Sequence, residues 1–389
     1  MFKLLKKSKK SKARLGVLKT SRGEINTPFF MPIATKAAVK SMEAKEIKNL
    51  GAQIILSNTY HNLLRPGLEV IKKIGSLHKF MDNSLPILTD SGGYQVFSLA
   101  KLRKIKGDNI EFQSHIDGKK YILNPKKVID IQVALGSDIM MVLDECVGLP
   151  SSRKEALLAL ERTSRWANIA IDYKKSLDKK SKQIKKQLIF GIVQGADFKD
   201  LRLRSAQELV AMNFDGYAVG GLAVGEPTST MYKVLDYTVD QLPENKPRYL
   251  MGVGYPENIV EAVRRGIDMF DCVIPTREAR HGKLYIRKGP LPVIARNKVT
   301  KQSKSSRLLR SARNDNSSSW YETININNAK FAKDTKAISS YLKNYSKSYL
   351  HHLFKTKEPL ALRLATINNL KFYLDLMEDI RVSIKKDMF

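Results

Sequence analysis

Through most of the chain, short continuous apolar runs alternate with longer stretches in which apolar residues recur at helical spacing. The runs at 53–57, 86–90, 110–115, 138–144, 188–194, 216–220, 248–254 and 269–274 read as strands. Uninterrupted apolar strands separated by helices belong in a parallel sheet covered on both faces. The run at 110–115 alternates apolar with polar, so it fits the rhythm less well. About eight such units in roughly 250 residues have the size of a (β/α)8 barrel. Periodicity cannot show closure, which leaves a doubly wound sheet open on this ground. The predicted fold class is α/β, a (β/α)8 TIM barrel with a C-terminal helical subdomain and a disordered basic insertion.

Residues 1–13 read as a solvated basic tail and 14–290 as the barrel domain, opening with a hairpin-like segment at 14–39. Ser41 looks like a helix N-cap, with Glu43 close behind. A helical pattern at 256–265, with Ile259 and Val263 on one face, leads into a short strand carrying Asp271 and then a Pro-Thr-Arg turn. Past Gly289-Pro290 the composition shifts. Residues 291–323 are rich in Ser, Lys, Arg and Asn and predict a low-complexity insertion, more plainly a tolerated loop than an RNA contact. The C-terminal subdomain, 324–389, shows two helical patterns at 338–354 and 359–384.

Charge narrows the function classes. A formal net charge of +30 attracts polyanions, nucleic acid above all, although a general drift toward lysine gives the same sum. No apolar run approaches membrane-spanning length, and the lysine-rich first residues lack the apolar stretch of a signal peptide. Two cysteines, Cys146 and Cys272, argue against a disulfide scaffold and suit a reducing cytosol, so a cytoplasmic location is expected.

In a barrel, chemistry gathers where strands end, and there the chain keeps its polar and glycine signatures. Asp90 and Asp271 are two carboxylates at strand ends. Facing each other across a sugar C1′, such a pair serves retaining glycosyl transfer, one attacking the anomeric carbon and the other handling the leaving group's proton. A strand-capping Asp271 is the plainer alternative. The glycines after Asp90-Ser91 would let backbone approach a flat ligand, and Tyr94 offers a stacking face. Asp144 and Gln194 supply acceptors and an amide suited to a purine edge. Gly220, Gly221 and Leu222 can present bare backbone groups there. Met251 is a soft face opposite Tyr94, or simply core.

Four motifs carry a resemblance: Thr89-Asp-Ser-Gly-Gly-Tyr-Gln-Val-Phe-Ser-Leu99, Gly136-Ser-Asp-Ile with Asp144-Glu-Cys146, Asp215-Gly-Tyr-Ala-Val-Gly-Gly-Leu-Ala-Val-Gly-Glu226, and Asp268-Met-Phe-Asp-Cys-Val-Ile-Pro-Thr-Arg277. In them the chain resembles the bacterial tRNA-guanine transglycosylases (queuine tRNA-ribosyltransferases) from about residue 14 to 384. The resemblance implies exchange of guanine for a 7-deazaguanine, preQ1 in bacteria, at the anticodon wobble position of tRNAs for Asp, Asn, His and Tyr. It implies a covalent ribosyl intermediate on Asp271, with Asp90 as general acid/base. Asp144, Gln194, Gly221, Leu222, Ser91 and Cys146 would hold the base, between Tyr94 and Met251. Arg277 and Arg280 would touch the RNA around a nucleotide flipped from the anticodon stack. Cys146 and Val224 match the preQ1-using pattern.

The chain also departs from the family. The resemblance implies a structural zinc held by Cys-x-Cys-x-x-Cys and a distant histidine, but residues 338–347 contain no cysteine and Asn368 stands at the histidine position. Without thiolates that tetrahedral site cannot form, and adjacent His351 and His352 make no ligand set. No zinc and a weakened C-terminal subdomain are expected, and the family's homodimer uses this same region. Ala196 replaces the usual second glycine after Gln194-Gly195, and Glu278-Ala-Arg-His281 occupies a loop that normally ends in Asn-Gly. A non-catalytic tRNA-binding relic is the alternative that these losses suggest. A barrel glycoside hydrolase also fits two carboxylates, but not Tyr94, Gln194 and the charge together.

Overall fold

The structure, a computed structural model, describes residues 2–99, 103–291 and 320–389. The insertion expected at 291–323 thus lies outside the described residues except at its two ends. Strands β1 (Phe2–Lys7), β2 (Arg14–Thr20) and β3 (Gly23–Thr27) form an antiparallel sheet at the start of the chain. Lys3, Lys6 and Lys7 therefore sit on a paired strand, where a solvated tail was expected. Next come β4 (Phe29–Met31) and β5 (Ile33–Ala34), then β6 (Ile55–Ser57) and β7 (Ile87–Thr89). A small antiparallel sheet follows, made of β8 (Arg103–Lys106), β9 (Asn109–Gln113) and β10 (Lys120–Leu123). The rest of the barrel is β11 (Ile139–Met141), β12 (Leu188–Val193), β13 (Gly216–Val219), β14 (Arg248–Leu250) and β15 (Met269–Asp271).

The parallel sheet runs β4-β15-β14-β13-β12-β11-β7-β6-β5. Its ends meet because β4 and β5 are one strand broken at Pro32, which has no N–H to donate but accepts from Leu56 N at 3.0 Å. Seven of the eight apolar runs are barrel strands. The eighth barrel strand is β4/β5, which the sequence made part of a hairpin. The alternating run at 110–115 belongs to β9, outside the barrel, and its alternation has a simple cause. It buries Ile110 and Phe112 and turns Asn109, Glu111 and Gln113 away, as a one-sided sheet must. By contrast Ile189 through Val193 of β12 are buried on both faces.

Helices cover the barrel, and local signals start them where polar caps predict. Ser152 and Glu155 form a capping box on the helix Arg153–Asp178, and Pro256 opens Pro256–Arg264 at its first turn. Near residue 41 the cap is Glu43, whose side chain pairs reciprocally with the backbone at Glu46, while Ser41 itself sits at φ 64° in the loop before it. After β15 the Pro-Thr-Arg segment is not a turn but the start of the helix Ile274–Arg280. A proline at its first turn is tolerated because the N–H it lacks has no helical partner there.

The chain beyond 319 begins with β17 (Tyr321–Asn325), paired with β16 (Lys283–Arg287), so the C-terminal unit starts before residue 324. Residues 338–346 form a tight turn closed by Ile338 N to Tyr345 O at 2.9 Å, and helix starts only at Lys347–Lys355. Ile326, Phe331, Ile338, Leu350 and Leu353 pack into a small apolar core with the first turns of the helix Pro359–Lys385. Further along, Tyr373, Leu376, Met377 and Ile380 of that helix enter the barrel's own core. The last helix therefore belongs to both units. No helix among the described residues is long and apolar enough to cross a membrane.

Candidate active site

Asp271 is the last residue of β15 and is buried, 8% exposed. Tyr249, fully buried in β14, donates its hydroxyl to Asp271 Oδ1 at 2.6 Å, and Gly252 N–H donates to the same oxygen at 2.8 Å. Burial pushes this carboxyl above its ordinary value, and the two donors pull it back toward ionisation.

Asp90 directly follows β7. Asn58 caps the helix Thr59–Leu64 and also donates its amide to Asp90 Oδ2, while Thr59 N–H reaches Oδ1 at 2.9 Å. Desolvation, with smaller contributions from the charges of Asp271 and Asp144, raises the Asp90 carboxyl to about 7. Three carboxylates from three strand ends thus share one electrostatic neighbourhood.

Asp144, three residues beyond β11, accepts from Ser91 Oγ at 3.2 Å and from Gln194 Nε2 at 2.8 Å. Its carboxyl is raised to about 6, chiefly by burial. Gln194 Oε1 is a buried oxygen with no hydrogen-bond partner, an open acceptor at the heart of the group. Gly221, at φ +64°, lies against it: a Cβ there would stand 2.5 Å from Gln194 Oε1. Leu222 is buried beside it. The glycines after Ser91 are also required by the packing of the protein itself. A Cβ on Gly92 would meet the Tyr60 backbone at 3.0 Å, and one on Gly93 would meet Asp144 O at 2.8 Å. They let three protein loops close on one another.

Tyr94 is 53% exposed and, with Cys146, Glu145 and Arg162, lines an open cavity of about 580 Å³. Met251 follows β14, packed partly against the barrel core. Arg277 and Arg280 lie on the helix that begins three residues after Asp271. Arg277 is exposed, and Arg280 donates to Thr276 O at 2.9 Å. Its guanidinium is shifted below its ordinary value by burial and by Arg277. The structure brings Asp90, Asp144, Asp271, Ser91, Gln194 and Gly221 together, with Tyr94 and Cys146 along one cavity. Sequence reasoning assigned nothing to Tyr249, Asn58 or Gly252. Asn58 stood in a strand-end polar cluster, a signal that could have found it. Tyr249 left none, being one more aromatic in an apolar strand.

Among the described residues no group of three or more His, Cys, Asp or Glu could hold a metal ion. The residues also fail to fit the zinc that the resemblance implies. Both cysteines of the chain lie in the barrel, far in sequence from the C-terminal region. Asn368 donates to Tyr285 O at 3.0 Å, and His351 Nδ1 bonds Ile326 O at 2.7 Å.

A family model described as queuine tRNA-ribosyltransferase matches residues 8–389. A queuine tRNA-ribosyltransferase of Thermoanaerobacter sp. (strain X514) is 47% identical over 391 residues, covering 99% of this chain and 94% of that protein. One from Caldanaerobacter subterraneus subsp. tengcongensis is 48% identical with the same coverage. One from Staphylococcus haemolyticus is 46% identical over 99% of this chain and 93% of its own length. With strand-end carboxylates in a closed barrel and a family match along almost its whole length, the chain belongs to the queuine tRNA-ribosyltransferase family.

Proposed function

We propose that this chain is a tRNA-guanine transglycosylase that replaces guanine at the anticodon wobble position with a 7-deazaguanine, preQ1, in queuosine biosynthesis. The observation that carries the reading is the differently tuned acid pair, Asp271 held by two donors and Asp90 raised to about 7. Both hydrogen bonds on Asp271 end at Oδ1, which leaves Oδ2 to attack C1′. As the Oδ2–C1′ bond forms, the C1′–N9 bond breaks and protonated Asp90 gives its proton to the departing guanine. Asp90 then takes the N9 proton of the incoming base, whose nitrogen displaces Asp271 with net retention. Asp144, Gln194, Gly221, Leu222, Ser91 and Cys146 grip the base edge, Tyr94 and Met251 its faces, and Arg277 and Arg280 the RNA backbone.

The chain acts without a structural zinc, as a cytoplasmic enzyme built of a barrel and a C-terminal subdomain, and the family's homodimer is its expected assembly. Asp271→Asn should abolish a covalent adduct with tRNA, trapped under denaturing electrophoresis, and lower exchange of labelled guanine at least about a thousandfold. An adduct that survives in the variant sinks the nucleophile assignment. Tight tRNA binding by the wild type with no exchange at any base concentration would instead establish a binding relic.

A further inference from the structure

Arg202, on the helix Lys199–Met212, is fully buried, and its hydrogen bonds go to backbone carbonyls rather than to a carboxylate. Its Nε donates to Ala196 O at 2.7 Å, Nη1 to Val193 O at 3.0 Å and Gly220 O at 2.7 Å, and Nη2 to Gly221 O at 3.2 Å. A desolvated guanidinium with no carboxylate in hydrogen-bond contact is costly, so a hydrophobic side chain would serve mere packing better. These four carbonyls come from the two strand-end loops that carry Gln194 and Gly221.

Peptide planarity says what this does. In a trans peptide the C=O of one residue and the N–H of the next point in opposite directions. With the Gly220 and Gly221 carbonyls drawn to Arg202, the N–H groups of Gly221 and Leu222 must face away from it. The Gly221 N–H is placed to favour the ionised form of Cys146, a residue of the candidate base site. The positive φ of Gly221, +64°, is the conformation that turns successive N–H groups to one side as an anion- or carbonyl-binding nest.

Resting on the base-exchange reading, we infer that Arg202 is a positioning residue. It holds the two peptides at Gly220–Gly221 and Gly221–Leu222 with their N–H groups toward the base, and so makes that wall accept a ring carbonyl and reject a ring amino group. Freed of Arg202, either peptide can turn its carbonyl inward and the preference is lost.

The experiment measures guanine exchange, and its inhibition by 2,6-diaminopurine, for the wild type, Arg202→Lys and Arg202→Met, with circular dichroism and tRNA binding as controls of folding. The wild type should prefer guanine strongly. Arg202→Met should raise the guanine KM at least tenfold while kcat and the tRNA KM stay within threefold, and its preference over 2,6-diaminopurine should fall at least tenfold. Arg202→Lys, with one ammonium for four carbonyls, should fall between, and it decides alone if Arg202→Met does not fold. An unchanged preference in a folded variant overturns the inference, as does a parallel loss in both KM values and kcat. A wild type that does not discriminate overturns it without any variant. A wild type that exchanges no guanine overturns the base-exchange reading first.

Discussion

At Asp90 and Asp144 the same force, removal from water, has shifted two carboxyls to about 7 and about 6. If the adduct-forming step needs Asp90 protonated and Asp144 ionised, kcat/KM for tRNA should fall above about pH 7 and below about pH 6. A flat profile between pH 5 and 9 would exclude those roles. Stability carries the same signature with a definite sign. Asp90 has a folded value above its unfolded 3.8, so its contribution is complete at acid pH and is lost as pH rises through about 7. Thermal melts of Asp90→Asn should therefore shift in the variant's favour, relative to wild type, by a few degrees between pH 4 and 7 and then level off. Both aspartates of the proposed pair were legible in the sequence, because an ionisable residue closing an apolar strand is unusual. Their tuning was not, since beyond burial it depends on Tyr249, Gly252 and Thr59, which come from other strand ends.

Among the elements, the helix Pro359–Lys385 has the longest reach. Asn369, fully buried within it, donates to Pro275 O at 3.0 Å and Lys283 O at 2.9 Å and accepts from Tyr285 N at 3.0 Å. One side chain thus ties the last helix to the segment that follows Asp271 and to β16. Asn369→Ala removes three hydrogen bonds to backbone groups and should cost about 3 kcal/mol, read from the midpoint of chemical denaturation. A loss under about 0.5 kcal/mol would mean that the helix is held by its apolar face alone. The helix itself was plain from its periodicity. Its double membership was not, because apolar spacing marks a buried face without naming what covers it. The run at 338–346 shows the reverse limit. Its apolar residues pass for helix, yet Ile338 and Leu342 reach the same core from a turn.

For the molecule as a whole, an apolar core stands where the family resemblance would put a metal, and the proposal without zinc has a direct measurement. Purified protein should contain well under one zinc per chain, and chelation should leave its melting curve unchanged. A stoichiometric zinc that chelation removes, with a drop in melting temperature, would refute it. The α/β class, the barrel size, the two strand-end aspartates and the missing thiolates were all readable along the chain. They follow from local periodicity and residue identity, which need no knowledge of neighbours. Closure through a strand broken at Pro32 and the exclusion of β9 from the barrel were not readable, and the meeting of Asp90, Asp144 and Asp271 was expected only through the family resemblance. Each depends on which strands hydrogen-bond to which, and a one-dimensional pattern carries the period of a strand but not the identity of its partner.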